Sequence, residues 1–306
     1  MQRLLTPVLI MAAALCASAP SHASCTLTRE TTLPLTIEHT RLYVPVSMNG
    51  TQGLFTVDTG AAVTLLTGAY ASAAHVGLDR HAGQVVISGA GGRETLPVNQ
   101  AHVRQTRIGT ITFPDWEYSV VPPEAGGLGR TEREGILGMD FLHYFDLDFD
   151  FQANTLTLWR QAGCTDIHPE WKGDYDSIPL KHTASQSVTI PIFIDNAFFD
   201  VELDSGSPGL LLTKSAALRA GVTDAALAQD IESQSTGIGG HFPAVRHRFG
   251  LLLVGSGQFR NPLITVETES HRTSYADGLM GLRYLQPHKV WLSYATNTLF
   301  VQSAGK

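Results

Sequence analysis

Two stretches decide the reading: Leu54-Phe55-Thr56-Val57-Asp58-Thr59-Gly60-Ala61 and Val201-Glu202-Leu203-Asp204-Ser205-Gly206-Ser207. Each leads a strand-like run into Asp, a small hydroxyl residue and Gly, and each is followed by an apolar run, Val63 to Leu66 or Leu210 to Leu212. Aspartate suits a strand poorly unless something needs it there. The glycine permits a sharp turn that a side chain would block. The two aspartates stand 146 residues apart (204 − 58), and the same offset relates Pro45 in Leu42-Tyr43-Val44-Pro45-Val46 to Pro191 in Val188-Thr189-Ile190-Pro191-Ile192. It also relates Gly109-Thr110-Ile111-Thr112-Phe113 to Gly255-Ser256-Gly257-Gln258-Phe259. Gly89-Ala90-Gly91-Gly92 matches Gly237-Ile238-Gly239-Gly240 at 148 (237 − 89), and Ile136-Leu137-Gly138 matches Leu279-Met280-Gly281 at 143 (279 − 136). Asn154-Thr155-Leu156 matches Asn297-Thr298-Leu299, again at 143 (297 − 154). Small drifts between blocks are what loop insertions produce, and landmarks kept in this order mark an internal duplication.

The surroundings agree with two equivalent, strand-rich lobes. Gly 29 and Pro 15 in 306 residues make a turn-rich chain, and Asn49-Gly50 and Asp195-Asn196 suit tight hairpins. With 43% hydrophobic residues and 16% charged, the chain is neither disordered nor a coiled coil. A net charge of −7 leaves no basic footprint for nucleic acid. Short helical segments are expected over 68–75, 214–220 and 224–229. The alternation of Asp146, Asp148 and Asp150 with apolar residues over 144–151 reads as a strand with one acidic face, because the glycine and spacing of a calcium loop are missing.

Arg3, the apolar stretch 4–17 and the small residues Ser21 and Ala23 read as a secretory signal over residues 1–23, cut after Ala23. The stretch is short for a membrane span, and no later one is apolar enough. The expected organisation is an N-terminal lobe over 24–160, a polar linker over 161–177 and a C-terminal lobe over 178–306. Export to a periplasmic or extracellular space is oxidising, so Cys25 and Cys164 are expected to pair, with two free thiols as the alternative. Such a bond closes a 139-residue loop (164 − 25), worth roughly 4–5 kcal/mol in the chain-entropy model.

The repeat also carries the chemistry. Related by a pseudo-twofold axis, Asp58 and Asp204 would meet at the lobe boundary, with the Thr59 and Ser205 hydroxyls reaching across to the facing backbone. Two carboxyls in one site cannot both ionise cheaply, so one proton is held between them. The ionised member can take a proton from a bound water and the protonated one can polarise a carbonyl. Neither role is assigned to a particular Asp, because the protons belong to the pair.

With these residues in place, the chain resembles the aspartic peptidases of the pepsin and retropepsin superfamily. The resemblance rests on Phe55-Thr56-Val57-Asp58-Thr59-Gly60-Ala61, on Leu203-Asp204-Ser205-Gly206-Ser207 and on the later apolar-apolar-Gly segment of each lobe, and it spans nearly the whole mature chain. It implies the acid-protease fold: all-β, two homologous closed-barrel-like lobes, few short helices and a substrate cleft between the lobes. It implies an endopeptidase with Asp58 and Asp204 as catalytic residues, supported by Thr59, Gly60, Ser205, Gly206 and Ser207. Its partner would be a polypeptide in extended conformation. No metal or cofactor motif is present, and both aspartates lie in one chain, so activity as a monomer is expected.

The chain departs from the family at several points. The segment 88–92 lacks the tyrosine of a pepsin-type flap. Two glycine-rich tips, Gly89, Ala90, Gly91 and Gly92 in one lobe and Gly237, Ile238, Gly239 and Gly240 in the other, resemble the paired flaps of retroviral proteases. Flaps of this kind exclude water and clamp an extended peptide through its backbone. Ser207 is placed to hydrogen-bond the outer oxygen of Asp204, whereas Ala61 has no hydroxyl to offer Asp58. Glu202, on the same strand face as Asp204, is expected to point to solvent or a lobe interface. Two other readings stay open: a catalytically inactive peptide-binding module on the same fold, and a glycosidase whose carboxyls would stand roughly 5–9 Å apart.

Overall fold

The computed structural model describes residues 25–79, 85–87, 95–122, 133–164, 166–183, 187–237, 240–269 and 276–303. The expected signal segment lies outside these residues, as do Gly89, Ala90, Gly91, Gly92, Ile238 and Gly239.

In the first half, the hairpin Arg41–Met48 and Thr51–Val57 turns at Asn49 and Gly50, both at positive φ. The inner strand then pairs in parallel with Gly135–Leu137, which pairs antiparallel with Leu65–Thr67. Leu65–Thr67 runs parallel to Ile111–Val121, and that strand forms a long hairpin with Leu96–Ile108. Pairing of Ser47 with Arg107 and Met48 with Thr106 brings the sheet back to its first strand and closes it. Val44, Val46, Met48, Phe55 and Val57 fill the interior with 1% exposure or less.

The second half repeats the order with Val188–Ile194, Ala197–Leu203, Gly278–Met280, Leu211–Leu212 and Leu263–Glu267. Its two long strands are broken. The counterpart of Leu96–Ile108 is split into Gly240–Arg248 and Leu251–Val254, and that of Ile111–Val121 into Gly257–Arg260 and Leu263–Glu267. The breaks fall at Gly250 and at Asn261-Pro262, where Pro262 has no amide to give a ladder. Asp195 repairs one gap by accepting from the Gly250 and Leu251 amides at 2.8 and 2.7 Å. Pairing of Phe193 with Leu253 then closes this sheet where Ser47–Arg107 closes the first.

A six-stranded antiparallel sheet joins the halves, in the order Thr26–Pro34, Thr155–Ala162, Asp146–Asp150, His288–Ser293, Thr298–Ser303, Asp176–Pro179. Its centre pairs Leu147 with Leu292 and Phe149 with Val290, one residue from each half. The strand is where the acidic alternation placed it, but its acidic face is covered. Asp146 is buried and accepts from Trp291 Nε1 at 3.3 Å, from the Tyr294 amide at 3.0 Å and from Gln161 Nε2. At the edge, Thr26 pairs with Ala162, and the Cys25–Cys164 disulfide ties off that end of the sheet. Short helices begin where threonine caps them: Thr67, Thr213 and Thr223 accept from the amides of Tyr70, Ala216 and Ala226. Two further helical turns, Met139–Leu142 and Leu282–Leu285, follow the apolar-Gly segments.

Candidate active site

Strand Thr51–Val57 is held between its hairpin partner and Gly135–Leu137, and Ala197–Leu203 is held the same way by Val188–Ile194 and Gly278–Met280. Each ends by giving the next amide to the apolar-Gly strand: Asp58 N donates to Leu137 O at 3.1 Å and Asp204 N to Met280 O at 2.9 Å. The chain turns there, and both carboxyls meet at the boundary of the halves, hydrogen-bonded to each other.

Thr59 and Ser205 are 1% and 0% exposed, and each crosses to the other half. Thr59 Oγ1 accepts from the Ser205 amide at 3.0 Å and donates to Leu203 O at 2.6 Å. Ser205 Oγ accepts from the Thr59 amide at 3.1 Å and donates to Val57 O at 2.7 Å. A hydroxyl that both accepts and donates inside a dry boundary leaves no buried polar group unmet. Gly60 and Gly206 lie against the opposite carboxyls. A Cβ on Gly60 would stand 2.7 Å from Asp204 Cγ, and one on Gly206 only 2.3 Å from Asp58 Oδ2. Any side chain at either position would push the aspartates apart.

The outer contacts differ between the two halves. Gly60 N donates to Asp58 Oδ1 at 2.9 Å, and Ser207 N donates to Asp204 Oδ1 at 2.9 Å. The Ser207 hydroxyl does not take the role expected of it, because it donates to Gly209 O at 3.3 Å. The loop geometry delivers the backbone amide to the carboxylate instead. Glu202 does not reach solvent either. It is 7% exposed, and its negative charge acts on Asp204.

Burial is the largest influence on both carboxyls and raises each above the usual carboxylate range. At Asp58 the positive charge of Arg41 and the Gly60 amide pull back down. At Asp204 the charges of Asp58 and Glu202 push further up, so this carboxyl stands well above its ordinary value. The pair is therefore built to share one proton over a range of pH in which free aspartates would both be ionised.

A brace that the repeat does not reveal lies beside the dyad. Asp140 accepts from the Thr64 amide at 2.9 Å and from its hydroxyl at 2.6 Å, and Thr64 Oγ1 accepts from Gly138 N at 3.0 Å. The matching positions in the second half hold Leu210 and Arg283, so internal comparison hides the pair. The one local signal was a threonine interrupting the apolar run from Val63 to Leu66.

Of the two glycine-rich tips, the second stands on the hairpin Ile231–Gly237 and Gly240–Arg248, whose last pair is Gly237 with Gly240. The first is flanked by Val85–Ile87 paired with Leu96–Val98. Behind that hairpin Leu65, Leu96, Val98, Val121 and Ile136 form an apolar cluster, and Leu211, Phe242 and Leu279 form one in the other half. Among the described residues, Asp79, His102 and Glu117 bring three potential metal donors within 4.8 Å on the first sheet, with none of the dyad among them.

Residues 44–144 match the family model described as "gag-polyprotein putative aspartyl protease". No curated protein matches the chain by sequence. Among solved structures, an aspartic proteinase from Irpex lacteus superposes with a TM-score of 0.52 at 14% identity, covering 92% of this chain and 98% of that one. The basic 7S globulin from soybean superposes with a TM-score of 0.50 at 12% identity, covering 92% and 96%. The chain has the pepsin/retropepsin-like aspartic peptidase fold.

Proposed function

We propose that this chain is an exported aspartic endopeptidase in which Asp58 and Asp204 activate a water to hydrolyse a peptide bond. The observation that carries the reading is the pair of mutually hydrogen-bonded carboxyls braced across the boundary by Thr59 and Ser205. In the mono-protonated pair the ionised carboxylate accepts a proton from water. As the water oxygen attacks, the protonated carboxyl polarises the scissile carbonyl. That carboxyl gives its proton to the carbonyl oxygen to form a gem-diol. The gem-diol collapses as the carboxyl protonated by the water passes that proton to the amide nitrogen and the other takes one back from a gem-diol hydroxyl. This releases an amine and a carboxylic acid and restores the mono-protonated pair. An extended polypeptide is the fitting substrate, because the resemblance implies a cleft between the lobes and each half carries a two-stranded hairpin, Val85–Ile87 with Leu96–Val98 and Ile231–Gly237 with Gly240–Arg248, of the kind that pairs with an extended backbone. Export rests on the apolar leader in the sequence and agrees with the Cys25–Cys164 disulfide.

The fold alone does not decide the chemistry, since a protein titled a globulin superposes as well as one titled a proteinase. The alternative, a peptide-binding module without turnover, is separated by experiment. The chain lacking residues 1–23 is incubated with a peptide library from acid to neutral pH, with and without a statine-type inhibitor, and products are read by mass spectrometry. Inhibitor-sensitive cleavage is the expected result. Saturable peptide binding without product at any pH would establish the module instead.

A further inference from the structure

The two halves present different charges to the dyad. The flanking strand registers join Tyr43 to Thr56 and Thr189 to Glu202. Continued by two residues, they set Arg41 across from Asp58 and Ser187 across from Asp204. Alternate residues of a strand share a face, so Thr56 goes with Asp58 and Glu202 with Asp204. The duplication has thus put a cation and a hydroxyl around Asp58 (Arg41 and Thr56), and a hydroxyl and a carboxylate around Asp204 (Ser187 and Glu202). Glu202, Thr56 and Ser187 are 7%, 1% and 1% exposed and Arg41 is half-buried, so water screens the Glu202 charge little and the Arg41 charge only in part.

Among the described residues, the other elements packed on the dyad bring no charge of this kind. Gly135–Leu137 and Gly278–Met280 are apolar, and the crossing side chains are the hydroxyls of Thr59 and Ser205. Farther along each loop, Asp140 is held by Thr64, and Arg283 lies beside Gly209.

We propose that Arg41 and Glu202 are positioning residues that set the pH window of the dyad from opposite sides, Arg41 holding negative charge on Asp58 and Glu202 keeping the shared proton on Asp204. The proposal rests on the reading of Asp58 and Asp204 as the catalytic pair. The electrostatic directions agree with the placement: after burial, Arg41 lowers both carboxyls and Glu202 raises Asp204. The signs follow. Activity needs one proton on the pair, so the acid limb of kcat/KM marks its second protonation and the alkaline limb its loss of the last proton. Removing the Glu202 charge lowers Asp204 and moves the alkaline limb to lower pH. Removing the Arg41 charge raises both carboxyls and moves both limbs to higher pH.

The test reads the carboxyls directly and the kinetics beside them. Protein labelled with ¹³C at aspartate carboxyls is titrated by NMR, with Asp58→Asn and Asp204→Asn used to assign the two resonances. Wild type, Glu202→Gln and Arg41→Met are compared, with Arg41→Lys as the charge-keeping control and thermal melts as the check on folding. The expected result is a downward shift of the Asp204 titration in Glu202→Gln, an upward shift of both in Arg41→Met, and recovery in Arg41→Lys. The kcat/KM limbs should move the same way, whereas a merely structural role would lower activity without moving them. If Arg41→Met does not fold, Glu202→Gln, nearly isosteric with the native residue, decides alone. An unmoved or raised Asp204 titration in Glu202→Gln overturns the proposal even if the protein cleaves peptides. Shifted titrations in protein that cleaves nothing overturn the proteolytic reading and leave standing only the placement of charge and proton by Arg41 and Glu202.

Discussion

The two lobes agree closely where they touch and diverge in charge and strand continuity farther out. At the boundary the paired contacts match closely: Met139 N to Ala61 O and Leu282 N to Ser207 O are both 2.8 Å, and the crossing hydroxyl bonds from the Thr59 and Ser205 amides are 3.1 and 3.0 Å. Away from it, the long strands of the first sheet run unbroken through positions where the second has Gly250 and Asn261-Pro262. The first also braces its loop with Asp140 and Thr64, where the second has Arg283 and Leu210. Geometry is tightly repeated where each half supplies what the other's aspartate needs and in landmarks such as the Thr67 and Thr213 caps, both 3.2 Å, whereas the copies have diverged in charge and in strand continuity.

The sharpest way to break this comparison is to add one carbon at the boundary. Gly206→Ala and Gly60→Ala each drive a methyl into the opposite carboxyl, and each should cut peptide cleavage by about 100-fold or more while the fold survives, a loss of roughly 3 kcal/mol. Gly206→Ala should be at least as damaging, because its methyl approaches more closely. Cleavage assays with thermal melts check both, and near-normal activity in either would mean that the boundary is looser than described. Next in size, Ser205→Ala and Thr59→Val each orphan a buried amide and carbonyl of the other half. Each should cost about 1–3 kcal/mol in denaturant unfolding, and similar values for the two are what a symmetric boundary requires. A double-mutant cycle should show strong coupling, since each hydroxyl accepts from the other residue's amide.

The smallest expected effect concerns the shared sheet. Burial raises Asp148 to about 6 from an ordinary 3.8, against the opposing charge of Lys289. A raised carboxyl favours folding when neutral, so its contribution is complete below the unfolded value and is lost as pH climbs through 6. Asp148→Asn should therefore raise stability at pH 7–8 by about 1–2 kcal/mol and change it little near pH 4. A gain confined to acid pH would reverse the sign and contradict the burial argument.

Much of this was legible in the sequence because the boundary tolerates few residue types. Asp, a hydroxyl and Gly recur at 58–60 and 204–206 since each touches its counterpart, and a repeat is visible to the eye whatever happens between its landmarks. The three helical segments over 68–75, 214–220 and 224–229 showed through as well, each opening just after a capping threonine. What stayed hidden depends on contacts between distant segments. Alternation fixed the face that Glu202 shares with Asp204 but not whether that face is covered. The strand with one acidic face was read as such, but nothing local tells that His288–Ser293 from the other half lies beside it and that Trp291 caps Asp146. Thr64 and Asp140 were missed for the opposite reason, being a pair that the second half does not repeat.

The most direct test of the central claim is to convert each aspartate to its neutral isostere and compare the two. Asp58→Asn and Asp204→Asn proteins, shown by melting to be folded, are assayed beside wild type for cleavage of the best library peptide across pH. The dyad predicts that wild type cleaves and that each single change removes cleavage to about a thousandth or less, with no pH at which either recovers. Cleavage that survives in either variant would mean that the two carboxyls do not act as one site.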